Sequence, residues 1–172
     1  FTGAGWGAAG AAMVGQSLGV GKVKRADRAG WLASLLNVVM MGLIGFFFYL
    51  YAPALIIMFG DDPEARPEYA GTVHLGVEYL RIATWGYAFA GIGVTLAQAL
   101  NGAGSTKTPL LLDFVGFLCI QVPVAAYIAL NHEEHGWGRP WLWWSVVATT
   151  GLVAAFYVIV WRRGHWKHKK IQ

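Results

Sequence analysis

Few side chains in this sequence could do polar chemistry, and most of those that could lie inside long apolar runs. Thr84, Ala88, Gly91, Thr95, Gln98 and Gly102 recur at helical spacing and make one face small and polar, while Phe89, Ile92 and Leu96 occupy others. Ser34, Asn37, Met41 and Gly45 repeat the pattern earlier in the chain. Asp113 falls one turn inside the run that opens at Pro109, with Gln121 two turns deeper and roughly on the same side. Amides, hydroxyls and carboxylates are costly in hydrocarbon and face a bundle interior or a wet cavity. Two readings of each stripe are open: helix–helix packing glued by small and amide residues, or the wall of a substrate cavity carried by Asn37, Thr95, Gln98, Asp113 and Gln121. Asp113 itself reads three ways: a proton site, a carboxylate shallow enough to be hydrated, or a cap for the helix at Thr108-Pro109.

Other chemistries fail on spacing. Glycines lead into Lys22, but a phosphate loop of the Walker type needs a glycine where Gln16 stands and a hydroxyl where Val23 stands. No strand precedes these glycines and no acid follows about 20 residues on, so the dinucleotide pattern is absent too. His132 and His135 are three apart, in a loop with glycines and a proline, where a zinc helix needs them four apart. The acids of residues 60–69 do not follow calcium-loop spacing and read as a solvated loop with helix-capping aspartates. His165 and His168 lie in a basic tail and read as solvated or lipid-contacting groups. Cys119 is the single cysteine, so no intrachain disulfide forms. No nucleophile–base or paired-carboxylate arrangement argues for an enzyme, and neither a cofactor nor a metal is expected.

The elements that must position these residues are membrane helices. The chain is 56% apolar and 13% charged, against about 45–50% and about 25% in soluble domains. We expect an all-α, polytopic membrane protein with about five transmembrane helices, near residues 1–21, 31–59, 77–101, 109–130 and 141–161, followed by a basic tail at 162–172. The first span is Gly/Ala-rich, with Gly3 and Gly7, then Gly15 and Gly19, four apart, which lets another helix come close. The second is longer than a ~30 Å hydrocarbon core requires, which implies tilt or a projecting end near Pro53. Asn101-Gly-Ala-Gly104 is a glycine-rich stop, and Pro109 suits the first position of the next helix. Pro123 is tolerable where neighbouring helices satisfy the freed carbonyl. The first residues carry no positive leader or cleavage site, so no signal peptide is expected. A start without Met inside an apolar segment is expected of a fragment of a longer protein.

Charge placement sets an orientation. Loops alternate sides, so Lys22, Lys24, Arg25, Arg28, Lys107, Arg162, Arg163, Lys167, Lys169 and Lys170 share one face. The other face holds Arg66 and Arg139 against Asp61, Asp62, Glu64, Glu68, Glu133 and Glu134. The positive-inside rule makes the basic face, and with it the C-terminus, cytoplasmic. The net charge of +4 therefore points to membrane topology and lipids, not to nucleic acid. Trp137, Trp141, Trp143 and Trp144 fit an outer interfacial belt, and Trp161 and Trp166 an inner one. Glu78 and Arg81, three apart near the outer end, read as an interfacial ion pair.

Four segments resemble the multidrug and toxic compound extrusion (MATE) transporters: Val14-Gly-Gln-Ser-Leu-Gly-Val-Gly-Lys22 with Arg25-Ala and Ala29 following, Phe59-Gly-Asp-Asp-Pro63, Ala99-Leu-Asn-Gly-Ala-Gly-Ser-Thr-Lys-Thr-Pro109, and Gln121-Val-Pro-Val-Ala-Ala-Tyr127. Their order and spacing are similar to the second half of that family, from within its eighth helix to the end of its twelfth. The resemblance implies one partial C-terminal lobe of a twelve-helix carrier, with the first lobe and seventh helix absent. It implies efflux of small cationic, amphipathic compounds in exchange for sodium ions or protons. Its partners would be membrane lipids, organic cations and the missing N-terminal lobe of the same polypeptide, at the cell membrane. Two departures stand out. Ala90 occupies the position where some branches carry an intramembrane Asp, and Asn101 stands where Arg is common. Cation coupling through that Asp is not expected here, and the coupling residues would lie off this chain. A flippase for lipid-linked saccharides, expected to have a more basic cavity, is the second reading, and a non-transporting membrane scaffold the third.

Overall fold

A computed structural model describes residues 2–59, 69–131 and 138–168. The expectations placed on residues 60–68, on the His132–His135 loop, on Trp137 and on Lys169 and Lys170 lie outside the described residues. The helices run α1 (Thr2–Gly19), α2 (Val23–Leu50), α3 (Ala52–Phe59), α4 (Ala70–Gly102), α5 (Lys107–Phe114), a π-helical segment Val115–Gln121, α6 (Val122–Leu130) and α7 (Arg139–Arg163), closed by a short 3-10 turn His165–His168. The all-α, polytopic expectation holds. Among the described residues, three runs, Val23–Leu50, Lys107–Leu130 and Arg139–Arg163, are long and apolar enough to cross a membrane, against the five spans expected.

Burial runs opposite to that of a soluble domain. Leu35, Leu43, Phe46, Leu110, Phe117 and Leu118 are exposed, while Ser17, Ser34, Asn37, Thr95, Ser145 and Thr149 are buried. These large apolar side chains face outward and these small polar ones inward, as lipid favours. α4 is the central element: α1, α2, α3, α5 and α7 all pack against it. At 33 residues it is about 50 Å long. Its close approach to α1 needs a glycine at position 102, because a Cβ added there would run into the backbone of Ala11.

The turns follow from glycine. Lys22 N–H bonds to Ser17 C=O at 2.8 Å and Gly21 N–H to Leu18 C=O at 2.9 Å, with Gly21 at φ 71°. This left-handed cap closes α1 and lets α2 begin at once. The basic stretch expected as a loop over 22–30 is therefore mostly helix, with Lys24, Arg25 and Arg28 in the first turns of α2. α4 ends the same way: Ser105 N–H meets Leu100 C=O at 2.8 Å, with Gly104 at φ 75°. The run expected to continue from 31 to 59 breaks at Tyr51, because Pro53 has no N–H to give and its ring crowds the carbonyl four residues back. Pro123 acts similarly on the Lys107–Leu130 run. It cannot bond to the carbonyl of Cys119, and just before it the Val122 N–H reaches five residues back to Phe117 C=O.

At the end of the bundle where α1 meets α2, the chain's tail folds back. Trp161 and Trp166 stack with ring centroids 4.1 Å apart, Trp166 Nε1–H donates to Trp161 C=O at 3.1 Å, and Lys167 Nζ pairs with Asp27 Oδ2 at 3.3 Å. Both indoles are buried in the core with Val14, Ala26, Ala29, Leu96, Leu100 and Tyr157. They are core residues, not the inner interfacial belt expected of them. Trp141 and Trp144 are exposed and Trp143 sits edge-on to Tyr79 at 5.6 Å. Arg81, expected to pair with Glu78, lies instead with its guanidinium 5.6 Å from the Tyr49 ring centroid.

Gly102→Ala is expected to destabilise the protein by about 1–3 kcal/mol through overpacking, seen as a lower thermal midpoint in detergent. Gly5→Ala, where an added Cβ meets nothing within 4 Å, is expected to leave the midpoint unchanged or raise it. Equal midpoints for the two variants would refute the α1–α4 contact.

Candidate functional site

The five residues singled out in the sequence separate into two places. Asn37 and Thr95 are fully buried, each 0% exposed, between α1, α2 and α4. Asn37 Nδ2 lies 3.2 Å from Gly3 C=O, 3.1 Å from Gly91 C=O and 2.8 Å from Thr95 Oγ1. Thr95 Oγ1–H donates to Gly91 C=O at 2.8 Å. The amide has two protons for three acceptors, so it is shared among three helices. These two side chains stitch helices together and do not line the cavity expected of them. The physical reason lies in the face they share with Gly91 and Gly102: small residues let α1 and α2 close over it, and no space remains.

Gln98, Asp113 and Gln121 do come together, in a cavity of about 500 Å³ between α4, α5, the π-helical segment and α7. α4 contributes Ala90, Gly93, Ala97, Gln98 and Asn101; α5 contributes Pro109 and Asp113; the π segment contributes Phe117 and Gln121; α7 contributes Thr149, Thr150, Val153 and Tyr157. On α4 the stripe Ala90, Gly93, Ala97 and Asn101 adjoins the packing stripe, and Gln98 stands at their boundary, its amide lying against Gly7 of α1. The π segment has more residues per turn than the 3.6 of an α-helix. Asp113, Phe117 and Gln121, at four-residue spacing across α5 and this segment, all line the cavity.

Most of the wall is apolar, and its polar atoms are few. Thr149 and Thr150 donate to the carbonyls of Ser145 and Val146, each at 2.8 Å, so their protons are used within α7. The amides of Gln98, Asn101 and Gln121 supply donors and acceptors. Asp113 is the single charged residue of the lining. Its Oδ1 accepts a hydrogen bond from Tyr157 Oη–H at 2.7 Å, and the same hydroxyl is 3.2 Å from Pro109 C=O. Ala90 lines the cavity, so the methyl group occupies a wall position where a carboxylate would face the same space. Among the described residues, no three His, Cys, Asp or Glu side chains gather as a metal would require.

Tyr157 does not stand out in the sequence. A lone aromatic hydroxyl in an apolar run ordinarily reads as packing or as an interfacial group. The available signal is its helical register with Thr150, Val153 and Ala154, which only the partner helix turns into a site. Asn101, part of a helix stop in the sequence, lies at the same rim.

Residues 1–127 match the model of the MatE family. Among curated relatives, the probable multidrug resistance protein NorM of Brucella suis biovar 1 is 31% identical over 95% of this chain and 34% of its own length. The protein of the same name from Mesorhizobium japonicum is 30% identical over 87% of this chain and 31% of its own. That of Pseudomonas aeruginosa is 30% identical over 83% and 29%. The chain thus spans about a third of the length of the curated relatives it matches.

Asn37→Ala tests the division between packing and cavity. It is expected to lower stability by about 1–2 kcal/mol, the worth of a strong interhelical hydrogen bond in a membrane protein, while the apparent affinity for any cavity ligand stays unchanged. A changed affinity at unchanged stability, read by thermal melting and ligand titration, would return Asn37 to the site.

Proposed function

The chain belongs to the MatE family, and from that premise we propose that it forms part of one lobe of a secondary carrier that expels cationic, amphipathic compounds in exchange for protons or sodium ions. The observation that carries this reading is the cavity between α4, α5 and α7, an apolar chamber with three amides and one carboxylate. Its volume of about 500 Å³ suits a drug-sized ligand. Phe89, Phe117 and Val153 would take up the apolar body of such a compound, Gln98 and Gln121 its polar substituents, and Asp113 its positive charge.

Export would follow the general logic of alternating access, with this lobe and a second one rocking about a site at their interface. Lys22, Lys24, Arg25, Arg28, Arg162 and Arg163 would face the cytoplasm and the lipid head groups there, putting the C-terminus inside. The names of the relatives, multidrug resistance proteins, point the same way. A flippase for lipid-linked saccharides must handle phosphate, and a cavity whose charged group is an acid repels it. For a pure scaffold, Asp113 and Gln121 would be packed as Asn37 and Thr95 are, yet they border open space.

The test is efflux of a fluorescent cation such as ethidium from cells expressing the full-length transporter, with the sodium and proton gradients collapsed separately. Efflux is expected to fail when one of the two gradients is removed. Asp113→Asn is expected to weaken the apparent affinity for ethidium roughly tenfold, the size of one charge-assisted contact, and Gln98→Leu with Gln121→Leu to change which compounds are expelled. Efflux indifferent to both gradients and to all three substitutions would refute the proposal.

A further inference from the structure

A carboxylate at a cavity wall serves as a cation anchor only if something holds it there. Asp113 is exposed on α5, and an aspartate side chain free to rotate would turn toward any water or carbonyl within reach. Tyr157 removes that freedom. Its ring is 1% exposed and packed in the same core as Leu96, Leu100, Trp161 and Trp166. The hydroxyl is therefore fixed by tightly packed neighbours, at 2.7 Å from Asp113 Oδ1. The Pro109 carbonyl lies 3.2 Å from the same hydroxyl, whose single proton goes to the nearer Asp113 oxygen. One carboxylate oxygen is thus held by α7. Asp113 also lines the cavity, and its second oxygen, Oδ2, has no hydrogen-bond partner among the described residues.

We propose that Tyr157 is a positioning residue of this cavity: by holding Asp113 Oδ1 it presents Oδ2 to a bound organic cation, and so strengthens cation binding without touching the substrate. The inference rests on the transport reading above. It adds that the anchor is assembled from two helices, α5 for the charge and α7 for its orientation. A relative motion of α5 and α7 would then release the carboxylate, and with it the cation.

The experiment uses the full-length transporter reconstituted in proteoliposomes, with ethidium as probe and the apparent KM and maximal rate measured separately. Tyr157→Phe keeps the ring in its core site and removes only the hydroxyl. It is expected to raise the KM for ethidium about fivefold, within the range of a lost hydrogen bond to a charged group, with the maximal rate within about twofold. In an Asp113→Asn background, Tyr157→Phe is expected to add nothing, because the group it positions is gone. Asp113→Glu is the second variant: it leaves the core intact and moves the carboxylate out of register with Tyr157, so the KM should rise as it does for Tyr157→Phe. An unchanged KM in Tyr157→Phe beside a raised one in Asp113→Asn would overturn the positioning role and leave the cavity standing. So would a full fivefold effect of Tyr157→Phe in the Asp113→Asn background. An unchanged KM in Asp113→Asn would overturn the anchor and the positioning role together, and the transport reading would then stand or fall on the gradient dependence of efflux.

Discussion

A polar side chain in hydrocarbon has to find its partners inside the protein, and α4 meets that demand on two adjoining faces in different ways. On one face Gly91, Thr95 and Gly102 are small enough for α1 and α2 to close in, and Asn37 spends its amide protons across the joint. On the other, Ala90, Gly93, Ala97 and Asn101 look across open space at α5 and α7. The first face fixes where the helices sit. The second is free to be a site because the first has done the fixing, and Gln98 stands where the two meet.

The same division explains why the tail matters to a cavity it never touches. Trp166 returns from beyond α7 to stack on Trp161, and Lys167 pins it to Asp27 at the start of α2. This core includes Tyr157, whose hydroxyl reaches Asp113. Aromatic packing at one end of the bundle thus becomes a fixed oxygen position in the cavity. On the far wall, Pro123 denies the Cys119 carbonyl its usual partner, and the helix just before it runs as a π-helical stretch from which Phe117 and Gln121 line the cavity.

Apolar runs separated by glycine stops and polar loops predict an all-α bundle from sequence alone, and the caps at Gly21 and Gly104 follow from the behaviour of glycine at helix ends. Gln98, Asp113 and Gln121 stand out because polar residues in membrane helices are few. Asn37 and Thr95 read as part of the same wall because helical spacing shows which residues share a face, not which face a neighbour covers. Tyr157 stays hidden for the complementary reason: it acquires a role only through Asp113, 44 residues away. The belt expected at Trp161 and Trp166 fails because Gly164, in a left-handed cap, turns the chain back on itself. The start of α2 at Val23 is masked because a basic cluster reads as loop, although lysine and arginine are good helix formers.

If the proposed transport reading holds, the open face of α4, and not the groove on its α2 side, meets the cation. Thiol protection tests it directly. In the full-length transporter cleared of native thiols, Cys119 included, single replacements Ala90→Cys and Thr150→Cys report on the cavity. Gly42→Cys reports on the apolar groove between α2 and α4. The rate of maleimide labelling is measured with and without saturating ethidium. Ethidium is predicted to slow labelling at positions 90 and 150 and to leave position 42 unaffected; protection at 42 alone, or at none of the three, would contradict the account.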